Sequence, residues 1–180
     1  LEQQGWERLD GDALAKSLYV PGSGLLRAVA KEFGPNVLKK DGRLDPIRLG
    51  EIVFPSLARR RALNRIVYPA FARALRARIA QARRARRKLV ADVAVYYDLG
   101  APALGMPVVL LLAPLGVRVE RLKAAGLPAG RALARARALS FGPKQRAAAD
   151  LVLDGRESPP ALLGRLELAL AGWMDRSKEP

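Results

Sequence analysis

Two short stretches of this chain are apolar on both faces: Lys88 to Val95 (K-L-V-A-D-V-A-V) and Pro107 to Leu112 (P-V-V-L-L-L). A strand with one wet face alternates apolar and polar residues; a strand covered by helices on both faces reads as a continuous apolar run. Helical patterns lie before, between and after the two runs, so the order of elements predicts an α/β protein with a parallel sheet. Glu7-Arg8-Leu9 and Leu151-Val152-Leu153-Asp154 read as shorter strands of the same kind.

The helices are marked by their ends. Asp12 stands where an N-cap would precede Ala13 to Leu18. Gly24 to Phe33 is amphipathic and stops at Gly34. Lys40-Asp41-Gly42-Arg43 reads as a turn, and Asp45-Pro46 as an N-cap with proline in the first turn. A further helix starts at Pro55 and is expected to end where Pro69 restricts Tyr68. Beyond Pro69, Phe71, Leu75 and Ile79 recur every four residues among arginines, which predicts a long helix with one buried stripe. Leu115 to Ala125, Pro128 to about Arg137, Pro143 to Ala149 and Pro159 to Met174 complete the helices, and Asp175 to Pro180 reads as a frayed tail.

Composition narrows the chemistry. The 180 residues contain no cysteine and no histidine. Disulfides and thiolate metal sites are therefore excluded, and acid–base work falls to Asp, Glu, Lys or Tyr. The most apolar run, Met106 to Leu115, is too short to span a bilayer. No signal peptide is evident, so a soluble cytoplasmic protein is expected. The net charge of +15 is concentrated between Ile52 and Ala91, a segment with twelve Arg and Lys residues and no Asp or Glu. Such a run is a solvated helix face or a surface for a polyanion, RNA or acidic lipid, along Arg59 to Lys88.

A series of small motifs then gives the chain a family likeness. It runs from Leu9-Asp10-Gly11-Asp12-Ala13-Leu14-Ala15 through Asp41-Gly42-Arg43-Leu44-Asp45 and Leu49-Gly50-Glu51-Ile52-Val53-Phe54 to Ile66-Val67-Tyr68-Pro69. Asp92-Val93-Ala94-Val95-Tyr96-Tyr97-Asp98, Arg118-Val119-Glu120-Arg121-Leu122 and Ala149-Asp150-Leu151-Val152-Leu153-Asp154 follow in order. Together they resemble dephospho-CoA kinase. That resemblance implies a P-loop kinase-like parallel sheet flanked by helices, with an inserted helical acceptor lobe and a lid. It divides the single domain into a core (1–20, 88–115 and 143–174), a lobe (about 21–87) and a lid (about 116–142). The implied activity is ATP-dependent phosphorylation of the ribose 3′-hydroxyl of dephospho-CoA, with Mg2+. Small molecules are then the partners, and neither a membrane nor a nucleic acid is implied. The alternatives are a non-catalytic module without a P-loop that binds RNA or acidic lipid through the Arg59 to Lys88 face, or another nucleotide kinase of the same fold.

The resemblance also assigns residues. Asp12 is the base that takes the hydroxyl proton, with helix capping as its alternative role. Asp10, Tyr68, Arg73, Tyr96 and Tyr97 fall on the acceptor side, Arg73 toward the pyrophosphate, and Arg121 toward the phosphates of ATP. Departures are visible at Tyr68 (histidine in the family), Ala94 (proline), Ala125 (arginine) and Gly155-Arg156 (asparagines). The phosphate-binding pattern G-x-x-x-x-G-K-[ST] does not occur in the chain; Gly22-Ser23-Gly24 and Gly142-Pro143-Lys144 lack its spacing. Leu1 to Gly5 reads as the last turn of a helix. The loop is accordingly expected just upstream of Leu1, on a first central strand and helix of roughly 20 residues. The chain by itself is expected to be inactive.

Overall fold

The structure, a computed structural model, describes residues 1–100, 104–138 and 141–176. They form two compact units, Leu1–Leu104 and Gly105–Pro180. The expected frayed tail lies in part, at 177–180, outside the described residues.

In the first unit a single 3-10 turn, Glu2–Gln4, closes on Gly5 at φ 79°. Strand β1, Glu7–Asp10, then pairs in parallel with β2, Leu89–Asp92, in a register from Glu7↔Leu89 to Asp10↔Asp92. A parallel pair needs a long crossover. Here it holds four helices: α1 (Gly11–Ser17), α2 (Gly24–Phe33), α3 (Pro46–Val53) and α4 (Leu57–Arg84). The side chain of Ser23 caps α2 at Leu26, and Asp45 caps α3 at Ile47 and Arg48. The Asp41-Gly42 turn folds as read. The Asp41 side chain accepts from the Arg43 amide, and Leu38 and Leu44 bridge across it. Val29, Val37, Leu49 and Val53 form a buried core, onto which Tyr19, Phe33, Leu63 and Ile66 pack.

Two expectations fail here. Pro69 does not end a helix: α4 runs through it for 28 residues, starting at Leu57 behind a Ser56 cap. A proline inside a helix costs about 3 kcal/mol, chiefly through one missing hydrogen bond and a clash. Val67, Phe71, Leu75 and Ile79 are all buried on the inner side of α4. At roughly 1.5–3 kcal/mol for each such side chain, their burial outweighs the proline. Pro69 itself is exposed, so the carbonyl it leaves unpaired is on the wet side. The second failure is at β2, which stops at Asp92 rather than Val95; residues 94–100 form turns.

In the second unit β3, Val109–Leu112, pairs in parallel with β4, Leu151–Asp154. The Asp150 side chain accepts from the Val108 amide at 2.7 Å and fixes where the ladder starts. The crossover carries α5 (Leu115–Ala124), α6 (Ala129–Ala138) and the short α7 (Pro143–Ala147); α8 (Pro159–Arg176) follows β4. Ala132 and Ala136 are buried, and side chains this small let α5 and α6 approach closely. In a ladder of two strands each strand is an edge. Leu110 and Leu153 are buried accordingly, while Val109, Leu111 and Val152 stay exposed.

Candidate functional site

Ligands of open α/β sheets gather at the carboxyl ends of the strands. At that end of β1 and β2, Asp10 and Asp92 stand side by side in register. Arg8 lies two residues before Asp10 and therefore on the same face of the strand. Its guanidinium donates to the Asp92 carboxylate at 3.1 Å and is 3.9 Å from that of Asp10. These carboxylates raise the Arg8 pKa, first through the Asp92 hydrogen bond and then through the charge of Asp10.

Asp12 does not take the helix-capping role that spacing suggested for it. Because β1 continues through Asp10, it is Asp10 that caps α1, accepting from the Ala13 amide at 3.0 Å. That hydrogen bond is the main reason its carboxyl titrates below the usual range. Asp12 lies in the first turn of α1, exposed, and its side chain has no partner among the described residues. The Asp12 carboxylate thus makes no hydrogen bond within the helix.

The other residues expected on the acceptor side divide. Tyr96 and Tyr97 follow β2 in the turns, not on the strand, with ring centroids 5.2 Å apart at 73°. Tyr68 is half-buried on α4. Burial first, then the charge of Asp98, raise its phenol pKa, partly opposed by a hydrogen bond with Asn64. Asp98 belongs to the same turns as the tyrosine pair. Arg73 does not join them. Five positions along α4 is a rotation of about 140° from Tyr68, and Arg73 is exposed.

The carboxyl ends of β3 and β4 line a cleft of about 430 Å³. Leu111 to Pro114 and Val152 to Asp154 contribute to it, together with Arg118, Arg146, Arg156, Arg165 and Phe141. Asp154 is the one carboxylate among the lining residues. The Arg156 fork grips it from two residues away and brings its carboxyl down to about 2. Gly155 is buried beside this pair, where a Cβ would stand 3.0 Å from the Leu112 carbonyl oxygen. Arg121 does not line the cleft. Its guanidinium donates to the Gly155 carbonyl at 2.6 Å, while Arg118, one turn earlier, donates to the Ala136 carbonyl at 2.8 Å.

Sequence reasoning missed Arg8, Asp92 and the four cleft arginines. The match of R-L-D in β1 with V-A-D in β2 was available as a signal for the first two. For the arginines only their proximity in space groups them, across α5, α7, the β4–α8 turn and α8.

Parallel strand pairs with helical crossovers, carboxylates at one strand end and clustered arginines at another, define an α/β protein equipped for phosphate chemistry. The comparisons give this class a family. The dephospho-CoA kinase family model matches residues 1–159. A dephospho-CoA kinase from Anaeromyxobacter dehalogenans is 36% identical over 173 residues, which is 95% of this chain and 82% of the relative. One from Thermobifida fusca is 33% identical over 159 residues, 88% of this chain and 79% of the relative. A crystal structure of a Thermus thermophilus protein superposes with a TM-score of 0.68 at 29% identity, covering 95% of this chain and 86% of that one. The chain belongs to the dephospho-CoA kinase family, and is thus a kinase acting on the small molecules ATP and dephospho-CoA.

Proposed function

We propose that this protein transfers the γ-phosphoryl group of ATP to the ribose 3′-hydroxyl of dephospho-CoA, with Asp12 as the base. The observation that carries the assignment of Asp12 is the capping of α1 by Asp10, which leaves the Asp12 carboxylate unengaged at the end of β1. The hydroxyl oxygen attacks the γ-phosphorus, its proton passes to Asp12, and the bond to the bridging oxygen of the leaving ADP breaks. Phosphoryl transfer asks the protein mainly for position and charge stabilisation.

On the acceptor side, Asp10 holds the strand end, and Tyr68, Tyr96 and Tyr97 offer rings with hydrogen-bonding tips. Residues 21–87 act as the lobe over this substrate. Arg73, on another face of α4 from Tyr68, is set apart from this group. On the nucleotide side, the cleft arginines Arg118, Arg146, Arg156 and Arg165 supply cations and planar donors suited to phosphate. Arg121 reaches a phosphate by exchanging the Gly155 carbonyl for it, within a lid at 116–142. Mg2+, if held by the ATP phosphates, would lower their charge. No group of three or more Asp or Glu residues able to cage a metal occurs among the described residues. Mg2+ commonly relies on substrate phosphates and one or two carboxylates.

The regiochemistry is tested with the full-length protein and two acceptor analogues. The 2′-deoxy analogue of dephospho-CoA is expected to be phosphorylated and the 3′-deoxy analogue to be inert; the reverse pattern overturns the reading.

A further inference from the structure

We infer that the outer face of α4 is a docking surface for the phosphate backbone of a nucleic acid, recognised by charge and not by base. This goes beyond the kinase reading and uses residues outside the group assigned to it.

The folded state leaves the charge of α4 largely unneutralised. Arg78 and Arg87 pair with Glu7, while Arg60 and Arg83 donate to the carbonyls of Phe54 and Leu104. Arg61, Arg65, Arg73, Arg76 and Arg84 make no hydrogen bond or ion pair with any described residue. Helices that carry charge for their own stability alternate its sign at i,i+3 and i,i+4. In α4 those spacings place Arg65 after Arg61 and Arg76 after Arg73, so like charge meets like charge. The arrangement weakens the isolated helix, and an external anion is what it suits.

The five side chains are all exposed. At about 100° per residue they spread over roughly 140° of the helix circumference as α4 advances. At about 1.5 Å per residue the stripe from Arg61 to Arg84 is roughly 35 Å long. One turn of a duplex is about as long, ~34–36 Å. The positions between the arginines decide against a membrane. Helices that lie in a bilayer interface present large apolar side chains beside their cations. From Arg61 to Arg84 no large hydrophobic residue is exposed among the described residues; Leu57, at the start of α4, is the last.

The test is binding of the full-length protein to labelled 20-base-pair RNA and DNA duplexes of unrelated sequence, measured by anisotropy from 50 to 200 mM salt. Phosphatidylglycerol vesicles serve as the parallel arm. Micromolar binding to the duplexes, with little sequence preference and a log–log salt slope of about −4, is expected for four to five phosphates neutralised. The variant R61Q/R65Q/R76Q/R84Q, with helix content verified by circular dichroism, is expected to lose at least 10-fold in affinity and to flatten the slope. Absence of binding at 50 mM salt, a salt-independent affinity, or uptake by vesicles without duplex binding overturns the inference. So does an unchanged slope in the folded variant.

Discussion

Gly11 lies against the backbone of Asp92 so closely that a Cβ on it would stand 2.6 Å from the Asp92 carbonyl oxygen. The first turn of α1 thus packs against the end of β2, and the Asp10-Gly11-Asp12 spacing depends on the missing side chain. Gly11→Ala forces backbone apart where neither strand can yield. A loss of about 1–3 kcal/mol is expected, as for overpacked sites. Chemical denaturation measures it, and an unchanged midpoint contradicts the contact.

Glu7 ties the far end of α4 to β1, meeting Arg78 at 3.1 Å and Arg87 at 2.9 Å. Both arginines are about half exposed, so the tie is worth only about 1 kcal/mol in ordinary buffer. Glu7→Gln should lose that amount at low salt and less at high salt. A difference independent of salt would mean that packing, not charge, holds the pair.

The Asp154–Arg156 pair makes a prediction about acid. Hydrogen bonds from Arg156 hold the Asp154 carboxyl at about 2, against an ordinary 3.8. A carboxyl depressed by folding stabilises the fold above its unfolded pKa, and that contribution is lost as pH falls through the folded one. Stability should therefore drop between about pH 4 and pH 2, and Asp154→Asn should flatten this limb. Unfolding curves taken across that window decide it; parallel limbs for the two proteins contradict the pairing.

Tyr68 is half-buried on α4, with a hydrogen bond between its phenol and Asn64. Loss of one neutral hydrogen bond is worth about 1 kcal/mol, or roughly fivefold in an equilibrium constant. Tyr68→Phe should thus raise KM for dephospho-CoA about fivefold and leave KM for ATP unchanged. Equal changes in both would remove Tyr68 from the acceptor side.

Much of the fold was legible because its signals are local. Gly34 donates to the Ala30 carbonyl and Asp45 accepts from the Ile47 and Arg48 amides, so the end of α2 and the start of α3 fall where those caps place them. The parallel pairing was legible because helical patterns lie between the strands, whereas the apolar run of β3 did not foretell that Val109 and Leu111 stay exposed. The failures have non-local causes. Asp10 and Asp12 both satisfy the N-cap pattern, and only the pairing of β1 with β2 through Asp10 decides between them. Pro69 obeys a local rule that the buried stripe of α4 overrides. The cleft arginines carry no pattern along the chain, because Arg118, Arg146, Arg156 and Arg165 meet only after β3 and β4 have paired. Arg121 was found by motif, but its contact with Gly155 depends on the same pairing.

The central claim is that Asp12 takes the proton of the acceptor hydroxyl. Single-turnover transfer from γ-labelled ATP to dephospho-CoA, compared in the full-length protein and its Asp12→Asn variant, tests it most directly. A general base contributes about 10²–10⁴-fold, so the variant should transfer at least 100-fold more slowly while binding ATP within about twofold of the parent. Transfer within a few-fold of the parent, with ATP binding intact, would contradict it.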